Sequence, residues 1–159
     1  MSLIVTPQDN DFGAAITGVD LSQALNEATR SAIRQAWLQH QVVYFPDQPM
    51  SYAQLEQFSL SVGPFGNDPY VQAIDGHEHI VEVRREPDED VPLFGGTWHS
   101  DWSFQAEPPN ATLLHAKIIP PVGGGTHYAD GVRAFEHLDP RPPSSKFKSW
   151  LRGSTLRYQ

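Results

Sequence analysis

Apolar positions in the first third of the chain come in short β-like runs separated by helix-like stripes. Leu3-Ile4-Val5 predicts a short strand leading into a polar turn, and Ala14 to Leu21 predicts a second, with Gly18 at a turn or bulge. Asn26 is placed to cap a helix running to about Gln39, with Ile33 and Trp37 one turn apart on its core-facing side. His40 at its end reads as a favourable C-terminal charge or cap. Gln41 to Phe45 is β-rich and is stopped by Pro46. Ser51 and Gln54 then form a capping-box pattern, and Leu55, Phe58 and Val62 supply the stripe of a second helix that ends at Gly63-Pro64.

Beyond Pro64 the pattern becomes predominantly β and loop. Phe65 to Asp75 reads as a loop in which Asn67, Asp68 and Tyr70 are pocket candidates, and His79 to Val83 alternates as a strand does. Arg84 to Val91 is a charged surface loop. Ala111 to Ile119 is the clearest later strand: Ala111, Leu113, His115 and Lys117 share one parity, and Thr112, Leu114, Ala116 and Ile118 the other. Pro120-Pro121 ends it. His127 to Ala129 predicts a further strand and Gly131 to His137 a short helix. Pro140 to Ser145 is a turn or linker, and Lys146 to Gln159 is amphipathic and basic, suited to packing on its own domain or a partner.

Composition narrows the classes. The chain has 159 residues, a formal charge of −8 and no cysteine. The length allows one domain with a real core. No basic stripe suits nucleic acid, and no apolar run approaches the roughly 20 residues of a membrane span. Without cysteine there are no disulfides or thiolate metal sites, which fits a reducing cytoplasm, and no secretion signal is evident. Fourteen prolines and twelve glycines favour many turns over a helix bundle.

The chemistry concentrates in Gly95-Gly96-Thr97-Trp98-His99-Ser100-Asp101-Trp102-Ser103-Phe104. In an extended backbone His99 and Asp101 share a face, aiming an imidazole nitrogen and a carboxylate at one point. These are two of the three ligands of the 2-His-1-carboxylate triad that holds non-haem Fe(II). The spacing alone says little, since seven histidines among this many aspartates produce one such pair about as often as not. Its setting says more. Trp98, Trp102 and Phe104 can wall the point off from water, and Gly123-Gly124-Gly125-Thr126 follows about 25 residues on.

Taken in order, the segment 95–101, Pro108-Pro109 and Pro120-Pro121-Val122-Gly123-Gly124-Gly125-Thr126 resemble the taurine dioxygenase/2,4-D dioxygenase (TauD/TfdA) family. Gly18-Val19-Asp20-Leu21 and His40-Gln41-Val42-Val43-Tyr44-Phe45 resemble its opening segments, so that the likeness runs from about Ala14 to Leu138, leaving 139–159 as an unassigned terminal segment. The resemblance implies a mainly β fold with flanking helices, the double-stranded β-helix, present here in part. It implies Fe(II) held by His99 and Asp101, 2-oxoglutarate as co-substrate with Thr126 bonded to its far carboxylate, and hydroxylation of a small organic substrate. Sulfonates, sulfate esters and aryloxyacetates are the candidate classes. Two departures matter. Gly125 replaces an aspartate common in the family, and Asp68 stands in a region where taurine-using members have a histidine.

The resemblance also implies a distal histidine ligand and a co-substrate arginine, and neither is in this chain; Arg152 and Arg157 follow no histidine in the expected order. Three explanations stay open: the N-terminal part of a full enzyme, a short member completed by self-association, and a catalytically inactive, metal-free oligomeric or binding module. A third ligand supplied in cis by His115 or His127 is a further alternative.

Overall fold

The computed structural model describes residues 2–66, 70–90 and 95–138. Six elements lie within them: β1 (Ile4–Pro7), β2 (Ala14–Thr17), α1 (Glu27–His40), β3 (Val43–Tyr44), α2 (Tyr52–Val62) and α3 (Gly131–Glu136). The strands form one sheet in the order β1-β2-β3. β1 lies antiparallel to β2, with Val5 opposite Ile16, and β3 lies parallel to β2, with Ala14 opposite Val43. A parallel pair needs a crossover, and α1 supplies it.

Period-two burial orients β2. Ala14 and Ile16 are buried, whereas Thr17 is exposed. The buried face meets Ile33 and Ala36 of α1 and Phe58 of α2, with Leu21 and Met50 completing the core and Leu113 packed against it from far along the chain. Phe58 meets Phe45 edge-on at a centroid distance of 5.7 Å. Trp37 is only half-buried, at the margin of this core, with the Arg34 guanidinium 5.9 Å from its ring centroid.

Both helix starts follow local chemistry. The Asn26 side chain accepts from the Thr29 N–H at 2.9 Å. Ser51 and Gln54 complete a reciprocal capping box, satisfying two donors that the helix itself cannot. At the other end of α1, Gln41 adopts φ 66° and caps the helix, and its N–H donates to the Trp37 carbonyl at 2.7 Å. His40 is not that cap. Its ring is buried with Nδ1 3.2 Å from the Asp11 carbonyl, and its own carbonyl accepts from Gly13 N–H. It therefore ties the β1–β2 turn to the helix.

Three expected strands do not form. Residues 79–83, 111–119 and 127–129 carry no strand, and a single isolated bridge, Ile74 to His77, lies in this part of the chain. A strand exists only where its backbone finds a partner, and no backbone–backbone hydrogen bond involves residues 106–129 among the described residues. Around Ile80 the backbone instead folds into a tight turn, with Ile74 N–H donating to Ile80 O and Ile80 N–H to His77 O. The second strand also ends early, at Thr17, because Gly18 takes φ 74°. With helices of 14, 11 and 6 residues against strands of 4, 4 and 2, "mainly β" does not describe these residues, and no double-stranded β-helix closes within them. No described helix is long and apolar enough to cross a membrane.

One polar residue holds the core's rim. Gln48 accepts from the Leu21 N–H at 2.9 Å and donates to the carbonyls of Val19 (3.1 Å) and Pro46 (3.2 Å). Its own carbonyl is met by His115 Nε2 at 3.1 Å. Gln48→Ala strands the N–H of buried Leu21, and is expected to cost about 1–3 kcal/mol, read from the urea midpoint.

Candidate metal centre

His99 and Asp101 do converge, but from a turn rather than a strand. Residues 101–104 form a turn in which Trp102 adopts φ 55° and Gln105 N–H donates to Trp102 O at 2.9 Å. His99 Nε2 lies 3.1 Å from Asp101 Oδ1, with the two side chains 53% and 45% exposed. The other imidazole nitrogen, Nδ1, is 2.7 Å from the Thr97 carbonyl. A carbonyl and a carboxylate can only accept, so Nδ1–H donates to Thr97 and Nε2–H to Asp101 when the ring is charged, and loss of the Nε2 proton leaves a neutral ring with its lone pair on the Asp101 side. That is the tautomer a metal-binding imidazole requires. Gly95, at φ 68°, backs the ring; a Cβ there would stand 3.3 Å from His99 Cε1.

The hydrogen bond to the Thr97 carbonyl raises the His99 pKa most; desolvation opposes it, and the charge and hydrogen bond of Asp101 add to the rise. A raised value means that the imidazolium favours the folded state. That contribution is complete below the ordinary histidine value of about 6.5 and disappears as pH rises through the raised one. Metal binding runs the other way, because a ligand imidazole must be neutral. Divalent-metal affinity at this pair is therefore expected to fall on acidification, with a midpoint above about 6.5, measurable by Mn(II) titration from pH 8 to pH 5.5.

Tyr128 belongs to this neighbourhood. Partial burial of its phenol, and then the negative charge of Asp101, push its pKa up, so the segment after Thr126 passes within electrostatic reach of the pair. Neither the spacing nor the composition of the sequence marks Tyr128. Thr126 itself is exposed and makes no hydrogen bond among the described residues. The aromatic candidates divide. Tyr70 meets Phe104 edge-on at 5.8 Å, and Phe104 meets Trp102 at 5.9 Å, forming a row of three rings. Trp98 is 73% exposed and outside that row. Asn67 and Asp68 lie outside the described residues, as do Arg152 and Arg157.

No group of three metal-ligating side chains occurs among the described residues. His115 is spent on the Gln48 carbonyl, leaving Nδ1 buried without a partner among the described residues, and His127 folds back toward Gly125. Neither histidine stands with His99 and Asp101 in a group of three among the described residues. The donor set that is present, one imidazole held through Nδ1 and one carboxylate, suits a divalent first-row metal as two ligands of a larger set.

The family model described as "Taurine catabolism dioxygenase TauD, TfdA family" matches residues 5–152. The chain belongs to the TauD/TfdA family. An alkylsulfatase of Acinetobacter baylyi is 33% identical over 128 residues, covering 80% of this chain and 39% of that protein. An alpha-ketoglutarate-dependent sulfate ester dioxygenase of Pseudomonas putida is 31% identical over 143 residues, covering 89% of this chain and 46% of that protein. An (S)-phenoxypropionate/alpha-ketoglutarate-dioxygenase of Sphingobium herbicidovorans is 28% identical over 137 residues, covering 85% and 47%. A solved taurine dioxygenase from Burkholderia xenovorans superposes with a TM-score of 0.76 at 30% identity, over 96% of this chain and 52% of its own. This TauD/TfdA chain thus spans about half the length of the relatives it matches, and its structural neighbours have the double-stranded β-helix fold.

Proposed function

We propose that this chain contributes two iron ligands, His99 and Asp101, to an Fe(II)- and 2-oxoglutarate-dependent dioxygenase that hydroxylates a small organic anion. The observation that carries this reading is the convergence of His99 Nε2 and an Asp101 carboxylate oxygen 3.1 Å apart, in a chain of this family. Its relatives' names include sulfate ester, sulfonate, phenoxypropionate and 2,4-dichlorophenoxyacetate dioxygenases, which supports sulfate esters, sulfonates and aryloxyacetates as the candidate classes. The iron, when bound, would couple oxygen activation to decarboxylation of the keto acid.

The residues divide the remaining work. The Thr97 carbonyl holds the imidazole in its ligand tautomer, and Gly95 leaves room for the ring. Thr126, a hydroxyl donor, would meet the far carboxylate of 2-oxoglutarate. Trp102, Phe104 and Tyr70 would wall the substrate side, with Trp98, Asn67 and Asp68 as further pocket candidates. The absence of cysteine suits a cytoplasmic setting. The second reading is a metal-free binding module.

Anaerobic titration with Fe(II) and then 2-oxoglutarate separates the two. A weak chelate band, seen only at iron concentrations well above micromolar, requiring both additions and lost in His99→Ala, is the expected result. No band at any iron concentration, or a band that survives His99→Ala, would overturn the assignment. For the substrate class, succinate release over a panel of compounds is the measurement, and coupling only to neutral or cationic compounds would refute the anionic reading.

A further inference from the structure

A cluster of polar and aromatic side chains ties the segment after Tyr70 to α2, and the metal centre uses none of it. His77 Nδ1 lies 2.9 Å from Glu56 Oε2, with each side chain only 24% exposed. A carboxylate accepts, so the Nδ1–H donates, whichever charge the ring carries. Glu56 stands one turn after Tyr52 on α2, and the Tyr52 ring meets the His77 imidazole edge-on at 5.3 Å. Lys117 joins from the later chain, its Nζ 4.9 Å from the Tyr52 ring centroid and donating to the Met50 carbonyl at 2.8 Å. His77 is also the pivot of its own segment. Its N–H donates to Ile74 O at 3.1 Å, its carbonyl accepts from Ile80 N–H at 3.1 Å, and Ile74 N–H donates to Ile80 O at 2.9 Å. Residues 74–80 thus form one tight turn with its imidazole planted on α2. Two residues on, His79 stacks at 4.0 Å on Phe65, three residues past the end of α2.

We propose that Glu56 and His77 are positioning residues for the substrate side of the metal centre: their hydrogen bond plants the 74–80 turn on α2 and thereby sets Tyr70 against Phe104. Tyr70 is 75% exposed, so burial does little to fix its ring. The anchor does more. The four residues from Tyr70 to Ile74 span at most about 14 Å, which limits where the ring can go once the turn is fixed. From Tyr70 the contact passes to Phe104 at 5.8 Å and on to Trp102 at 5.9 Å, the residue that follows Asp101 in the chain. For its functional meaning the inference rests on the dioxygenase reading, in which these rings wall the substrate. A misplacement of about 1 Å in such a wall can cost about 100-fold in rate.

Fluorotyrosine incorporated into the full 159-residue chain reads the ring's position by fluorine NMR. Tyr70→Phe assigns its signal, and Phe104→Ala, which removes the ring beside it, defines the shift of an unplaced Tyr70. Glu56→Ala and His77→Ala are each expected to move the Tyr70 signal most of the way to that position. Glu56→Gln, whose amide oxygen still accepts from the Nδ1–H, should hold it near the wild-type position. Glu82→Ala, which removes an exposed acid from the same stretch, should leave it unmoved. Tyr44, on β3 and bonded to Gln8, is the internal reference: general loosening of the fold moves its signal too, whereas loss of the clasp does not.

Phenoxyacetate and hexyl sulfate, which stand for two of the substrate classes, probe the function. Either is expected to shift the Tyr70 signal of the wild-type chain, with affinity about three- to tenfold weaker in Glu56→Ala than in Glu56→Gln, as the loss of one aromatic edge contact implies. A Tyr70 signal that keeps its wild-type position in Glu56→Ala or His77→Ala, that moves as far in Glu82→Ala, or that Glu56→Gln fails to hold would overturn the clasp. Equal affinity in the two Glu56 variants would overturn its part in setting the wall. The two readings fail separately: a wild-type chain that binds neither anion counts against the dioxygenase reading, and the Tyr70 signal still decides the clasp.

Discussion

His99→Ala is expected to lower divalent-metal affinity by at least about 100-fold, more than the loss of an outer-shell partner would cause. With the imidazole gone, Asp101 remains as a half-exposed carboxylate at a turn, and a single exposed carboxylate offers a metal little beyond what water offers. The affinity at the start is itself expected to be low. Two protein ligands leave most of the coordination sphere to water, and each absent ligand removes a bond and the geometry that selects Fe(II). Turnover of 2-oxoglutarate by this chain alone should be slow or undetectable. Competition against a metal-sensitive dye under anaerobic conditions measures the first quantity and succinate release the second. The fold should survive the substitution, because the His99 side chain is 53% exposed and bonds only to Thr97 and Asp101. Saturable binding of one iron per chain at micromolar concentration would contradict the expectation of weakness and point to a third ligand from a residue outside this pair.

Ile16→Ala is expected to cause the largest loss of stability of any single truncation in the sheet, about 2–5 kcal/mol. Ile16 is completely buried and, among the described residues, the largest side chain to be so, on the strand that pairs with both others. Truncation leaves a cavity between sheet and helices that rigid neighbours fill only in part. Against a total stability of about 5–15 kcal/mol for a domain, this is a large share. Ile4→Ala, on the outward face of β1, is the matched comparison and should shift stability by no more than about 0.5 kcal/mol. Urea unfolding followed by tryptophan fluorescence reads both. Equal losses at Ile16 and Ile4 would show that β2 does not face the core.

The N-terminal third was legible because its signals are local. Asn26 and Ser51–Gln54 act across three residues, so their caps form wherever a helix follows. Gly131 to Glu136 was legible for a similar reason, and Asp130 caps it by accepting from Arg133 N–H. The convergence of His99 and Asp101 was also legible, although the reason differs from the one the spacing suggests. Two residues apart on a strand share a face, whereas here a turn with left-handed Trp102 brings them together. Other features depend on groups far away in the sequence. Gln48 matters because Val19, Leu21 and His115 reach it. Tyr128 matters because Asp101 lies near it.

Sequence alone therefore determined the family, the two capped helices, the alternation of β2 and the pairing of one imidazole with one carboxylate. Each rests on residue types at short separations, where chain geometry leaves few alternatives. Only the tertiary structure decided that Ala111 to Ile119, patterned as a strand, has no ladder among the described residues. Only it showed His40 bound to the Asp11 carbonyl rather than capping its helix, and His115 taken up by Gln48 rather than offered to a metal. The physical reason is the same in each case. Alternation shows which way side chains point, but a hydrogen bond also needs a partner, and the partner's position is set by the fold as a whole.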